Sequence, residues 1–174
     1  MIKVKLINTD YNIYSDVIEN FIKNFTKSGV VIKDSRNVIK SFESDKIRYN
    51  IKSFKIPNIF NAIVYNKLRS SKAERSYSYA QKLLSIGINT PEPIAYFEFK
   101  TKLFLKNSYY VSKNIEYDFS IREVINDYNF KNREKILQLF SGFTYKLHEN
   151  NINYLDHLEI QMKNQLQIQI QKQK

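Results

Sequence analysis

Lys52 stands at the end of a stretch, Tyr49-Asn50-Ile51-Lys52, in which apolar and polar residues alternate. Such alternation is the pattern of a strand with one buried face, and an ammonium fixed on that strand can hold the phosphates of a nucleotide. A strand lysine facing solvent is the ordinary case, so Lys52 gains meaning only from its companions. The chemistry needs a carboxylate on a nearby helix to hold the ammonium, and an aspartate on a loop to orient or deprotonate a hydroxyl. Residues 73–86 have helical spacing, and Glu74 is their sole acidic residue; it stands very early, with Ser76 and Ser78 nearer the middle. The loop candidate is Asp156. It is reached through Leu147-His148-Glu149-Asn150-Asn151-Ile152-Asn153-Tyr154-Leu155, a helix ending in Leu-His, a polar step and an apolar pair. His148-Glu149 has no second histidine four residues on, so packing or loop hydrogen bonding is the reading for His148 and His157, and no metal ligands are assigned.

The elements that must position these groups follow from periodicity. Ile2 to Ile7 alternates as a short strand, and 14–25 places Val17, Ile18, Phe21, Ile22 and Phe25 at helical spacing, with Ser15 as N-cap and Gly29 as terminator. Val30-Val31-Ile32, then Asn37 to Phe42, then Ile47 to Phe54 after a turn at Glu43-Ser44-Asp45-Lys46, predict an antiparallel meander. Pro57-Asn58 breaks it, and 59–68 is predicted as a short helix. In 73–86, Tyr77, Ala80, Leu83 and Leu84 are expected to face inward, with Gly87 as the stop. Pro91-Glu92-Pro93 leads into a strand over 94–99, and Tyr109-Tyr110-Val111-Ser112 is another. From Ile121 the pattern is helical, above all in 131–150, with Ile136, Leu137, Phe140, Phe143, Thr144 and Leu147 on one face. The fold class is α+β, a small sheet-rich lobe followed by a helical lobe.

At 174 residues, 43% of them hydrophobic and 14% aromatic, the chain can build a core. It has no apolar run long enough to span a membrane, and Met1-Ile2-Lys3-Val4-Lys5 is not a signal peptide. The lack of cysteine excludes disulfides and thiolate metal sites and fits a reducing cytoplasm. A net charge of +11 favours an anionic partner. The basic residues are spread along the chain among acidic ones, so no specific nucleic acid is expected. The tyrosines follow the apolar periodicity and read as core residues. The tail differs: 158–174 holds six of the eight glutamines, and its glutamine alternation suits neither an amphipathic helix nor a turn-bounded strand.

Three segments, in their order and separation, resemble the lipopolysaccharide kinase (Kdo/WaaP) family, and its Bacteroidetes-type members in particular. They are Lys52-Ser53-Phe54-Lys55-Ile56-Pro57-Asn58, then Gly87-Ile88-Asn89-Thr90-Pro91-Glu92-Pro93-Ile94-Ala95, then the approach to Asp156 and His157. The likeness covers about residues 1–157, roughly nine-tenths of the chain. It implies a protein-kinase-like fold with a sheet-rich N-lobe and hinge over 1–116, and the start of a helical C-lobe with the catalytic loop over 117–157. It implies ATP with Mg²⁺ as cofactors, and phosphorylation of a sugar hydroxyl in the lipopolysaccharide core. Lys52 would hold the phosphates, Asp156 would be the catalytic aspartate, and Glu74 a cofactor-binding carboxylate. Adenine would lie against a hinge of Ser112, Lys113, Asn114 and on to Glu116. The place would be cytoplasmic, in peripheral contact with the inner membrane face.

Two departures shape the expectation. Asp34-Ser35-Arg36-Asn37 stands where a glycine-rich phosphate loop would lie, and Leu158-Glu159-Ile160-Gln161 where the family has a Pro-Gly-Asn-like turn and a metal-binding asparagine. The helical lobe is therefore expected to be incomplete, by a reading-frame shift near residue 158 or by natural truncation, with 158–174 an aberrant disordered tail and activity impaired or absent. Helix 131–150 would then lack the helices that bury its apolar face. The competing reading is a non-catalytic module, either pseudokinase-like or a basic binder of nucleic acid or anionic membrane.

Overall fold

The computed structural model describes residues 2–54, 70–88, 90–101, 104–115, 119–150 and 152. The helix expected over 59–68, Glu116, Asp156, His157 and the segment 158–174 lie outside the described residues. The fold is α+β, as expected. It divides into two compact units, Met1–Lys82 with Glu92–Asn114, and Leu83–Pro91 with Ile115–Lys174.

The first unit is built on a six-stranded antiparallel sheet. Its strands are β1 (Ile2–Ile7), β2 (Val30–Asp34), β3 (Val38–Ser44), β4 (Ile47–Phe54), β5 (Pro93–Lys100) and β6 (Leu105–Lys113), in the spatial order β1-β5-β6-β4-β3-β2. The expected meander is β2-β3-β4. Its second turn is the two-residue loop Asp45-Lys46, whose φ angles of 51° and 63° match the twist of the paired strands. Register then sorts side chains onto two faces.

One face carries Phe42, Tyr49, Ile51, Phe97, Tyr109 and Val111. It packs against Tyr11 and against Ile18, Ile22 and Phe25 of the helical segment that follows β1. That segment is a 3₁₀ helix, Thr9–Tyr14, running into α1 (Ser15–Lys23). Ser15 is therefore the first residue of α1 and not its N-cap, a correction: the 3₁₀ turn delivers the chain, and it is Asn8 whose side-chain oxygen accepts the Asp10 N–H at 3.3 Å. Gly29 follows with φ +88°, and a Cβ there would come within 2.6 Å of the Phe42 ring, so both backbone and space require glycine.

The opposite face receives α2 (Lys72–Ser85). Ala73, Tyr77 and Ala80 lie over Phe54, Tyr96 and Tyr110, with the Tyr77 and Tyr96 rings 5.7 Å apart. Ser71 begins the helix, its hydroxyl accepting the Glu74 N–H at 3.1 Å. Gly87, at φ +71°, ends it: the Gly87 N–H donates to Leu84 O (3.0 Å) and the Ile88 N–H to Leu83 O (2.8 Å). Leu84 is exposed, contrary to its expected inward place, because the apolar cluster on the sheet ends at Ala80.

The second unit contains α3 (Ile121–Asn126) and α4 (Arg133–Glu149). Ser120 and Glu123 cap α3 reciprocally, each side chain bonding the other's backbone N–H. The face of α4 is not bare: Phe143 and Leu147 pack with Leu83, Ile88 and Ile152, and Ile136 packs with Ile121 and Val124. The expectation that this helix loses its cover is thus corrected for these residues. Short neighbouring segments supply apolar partners that periodicity within α4 does not reveal. Among the described residues no helix is long and apolar enough to cross a membrane.

Candidate functional site

Lys52 lies on β4, the third strand of the meander, on the face that α2 covers. The register places Ile39, Lys52, Tyr110 and Tyr96 in one row across four strands, and Lys33 sits opposite Ile39 at the outer end of that row. Lys33 is exposed, whereas Lys52 is half-buried with its ammonium 5.0 Å from the centre of the Phe54 ring. Burial first, and then the positive charges of Lys33 and Lys72, push the Lys52 ammonium down from 10.5 to about 8. Among the described residues no carboxylate forms an ion pair with Lys52.

The carboxylates lie elsewhere on the same face. Glu74 raises the phenol pKa of Tyr96, after burial and ahead of Glu98. Lys72, two residues before Glu74 on α2, acts instead on Lys52. Glu98 is almost fully buried, in the row Phe54-Ser108-Glu98. Its Oε2 meets Lys100 Nζ at 2.6 Å, while its buried Oε1 has no hydrogen-bond partner among the described residues.

Ser112 and Lys113 close β6, and Asn114 follows it. Ser112 is buried opposite Asn50, whose side-chain oxygen is itself buried without a partner among the described residues. The Lys113 N–H donates to Glu92 O (2.9 Å) and the Asn114 N–H to Arg48 O (2.8 Å), so both amides are occupied. Immediately after Asn114 the chain passes into the second unit. The structure thus brings Lys52 and Ser112 onto one sheet face, and it does not pair Lys52 with Glu74.

No family model matches the chain, and no curated protein matches it. Among solved structures, it is similar to WaaP in complex with acyl carrier protein, at 15% identity and a TM-score of 0.46. The match covers 75% of this chain and 47% of that one, so the chain spans about half the length of the structure it matches.

Lys33, Lys72 and Asn50 are the residues around Lys52 that motif reading misses. Only Asn50 leaves a local signal, standing two residues before Lys52 and therefore on its face. Among the described residues no group of three or more His, Asp or Glu side chains could hold a metal ion.

The lowered pKa of Lys52 has a defined consequence for stability. Its folded value is below the ordinary 10.5, so the unfolded chain binds more protons between about pH 8 and 10.5. The contribution of this group to stability is lowest below pH 8 and rises as pH climbs through that window. Urea midpoints measured at pH 7, 8, 9 and 10 should show the wild type closing its gap on Lys52→Met as pH rises. A gap independent of pH would refute the burial of a charged ammonium.

Proposed function

We propose that this chain is the nucleotide-binding front of a kinase-like phosphotransferase of the lipopolysaccharide-core type, with Lys52 as the phosphate-holding cation. The observation that carries this reading is the placement of Lys52. It is a half-buried cation on the third strand of an antiparallel meander, on the helix-covered face, without a carboxylate partner among the described residues. Protein kinases set the phosphate-binding lysine on their third strand and its glutamate on the helix that follows. The element order here, β2-β3-β4 with Lys52, then α2 with Glu74, then β5 and β6, supports the same use of the sheet.

In this reading ATP supplies the transferable phosphoryl group. Lys52 neutralises its phosphates, and Asp156 orients a sugar hydroxyl of the lipopolysaccharide core. The net charge of +11 would draw the chain to an anionic membrane face where such acceptors are found. Glu74 is the carboxylate available on α2 to hold Lys52.

Thermal unfolding with and without ATP tests the proposal. A ligand present at 100 times its Kd adds about 2.7 kcal/mol to stability, so millimolar ATP should raise the midpoint by several degrees, with adenosine giving less. Identical melting curves with and without ATP would refute it.

A further inference from the structure

Among the described residues, nothing covers β2. The sheet ends at this strand, and all five residues Val30–Asp34 are exposed, so neither of its faces is packed. Val30, Val31 and Ile32 are 73%, 52% and 49% exposed. Three consecutive aliphatic residues on a bare edge are a liability in water unless something pairs with them. The opposite edge strand, β1, carries Lys3 and Lys5, the kind of charge that commonly guards an edge. Beyond the ladder with β3, the backbone N–H and C=O groups of β2 bond to no other described residue. The register shifts between Val31 and Lys33, leaving Ile32 without an opposite residue on β3. Such a bulge twists the edge and keeps pairing short, which suits one added peptide and not a growing sheet.

An open cavity of about 690 Å³ adjoins the start of this strand. Phe21 of α1 and Phe42 of β3 line it, their rings 4.9 Å apart, together with Lys27, Val30 and Glu43. Glu43 is ion-paired with Arg48 at 3.5 Å, whereas Lys27 forms no ion pair among the described residues. Segment 26–36 carries Lys27, Lys33 and Arg36 against the single acidic Asp34, all of them exposed. We propose that β2 takes up an extended acidic peptide of a partner protein as a seventh strand of the sheet. The peptide backbone bonds the outer edge of β2, and its acidic side chains meet Lys27, Lys33 and Arg36. One apolar side chain enters the cavity beside Phe21 and Phe42. In strand addition the main chain supplies affinity, and alternate side chains in pockets supply specificity. A second copy of this chain fits less well, because β2 against β2 sets the same cations against each other. A lipid surface fits less well too, because the outer N–H and C=O groups find no partners in hydrocarbon.

The test is selection of a displayed library of short random peptides on the full chain, followed by fluorescence anisotropy with the recovered peptides made synthetically. Recovered peptides should alternate apolar and acidic residues, and their affinity should fall with added salt. Val30→Ser/Ile32→Ser and Lys27→Glu should each bind them about tenfold or more weakly than wild type. All three positions are exposed, so both variants should fold, with circular dichroism and melting curves as the check. Hydrogen exchange of the complex should show new protection within 30–34. Peptides N-methylated at every second amide should lose binding in one phase of the alternation and keep it in the other. This last readout needs no variant and decides the matter even where a variant fails to fold. Recovery of no peptide, binding that both variants retain, or protection confined to other segments overturns the proposal. Light scattering and vesicles of phosphatidylglycerol test the other occupants. Dimers or vesicle binding that Val30→Ser/Ile32→Ser abolishes, without peptide binding, assign β2 to a second copy or to lipid and overturn the proposal as well.

Discussion

Lys52→Met should weaken ATP binding by roughly 10- to 150-fold and, without ligand, make the protein more stable. The first effect follows from removing a charge-assisted contact to phosphate, worth about 1.5–3 kcal/mol. The second follows from the site itself. At neutral pH the protein holds a half-buried ammonium near two other lysines, with no ion-paired carboxylate among the described residues. Methionine keeps the aliphatic bulk beside Phe54 and removes the desolvated charge. A lysine serving only the fold would show the opposite sign, its loss destabilising the apoprotein and leaving ligand affinity untouched. Isothermal titration with ATP and urea unfolding of both proteins at pH 7 measure the two effects. Unchanged ATP affinity together with lower stability would remove Lys52 from the candidate site.

Phe97→Ala should cost about 3–5 kcal/mol of folding free energy. The ring is fully buried on β5 among Ile51, Tyr109, Val111 and the residues contributed by α1. This cluster fixes β5 and β6, and through them β4, in the register that sets the Lys52 row. A loss of this size is a large part of the 5–15 kcal/mol that ordinary domains possess. Urea unfolding followed by far-ultraviolet circular dichroism should show a lower midpoint with little change in slope. A midpoint shift below what 1 kcal/mol produces would mean that this face is less tightly packed than its burial indicates.

The two variants separate what the two faces of the sheet do. The α1 face is apolar and continuous, and its loss should appear as instability. The α2 face mixes Phe54, Tyr96 and Tyr110 with Lys52, Glu98 and an Asn50 oxygen that has no partner among the described residues. That mixture costs stability unless ligand or partner compensates it.

Much of this organisation was legible in the residues. Alternation in Tyr49 to Phe54 fixes that Asn50, Lys52 and Phe54 share one face and Tyr49 and Ile51 the other. The turn at Asp45-Lys46, the stop at Gly87 and the apolar positions of α2 other than Leu84 follow from chemistry acting over a few residues. The 3₁₀ turn before α1 did not follow, because its stabilising contact is the Asn8 side chain on a backbone amide, a cue that many loops share.

The amino-acid sequence alone determined which residues alternate, where helices stop, and that a strand lysine precedes a helix bearing a single acidic residue. Only the tertiary structure decided that Lys52 shares its cross-strand row with Lys33, Tyr110 and Tyr96, and that among the described residues no carboxylate pairs with it. Periodicity is a property of one segment and specifies a face. Strand order, register and the field at a side chain are set by segments dozens of residues apart, whose mutual placement depends on burying Phe97, Val111 and Ile51 together.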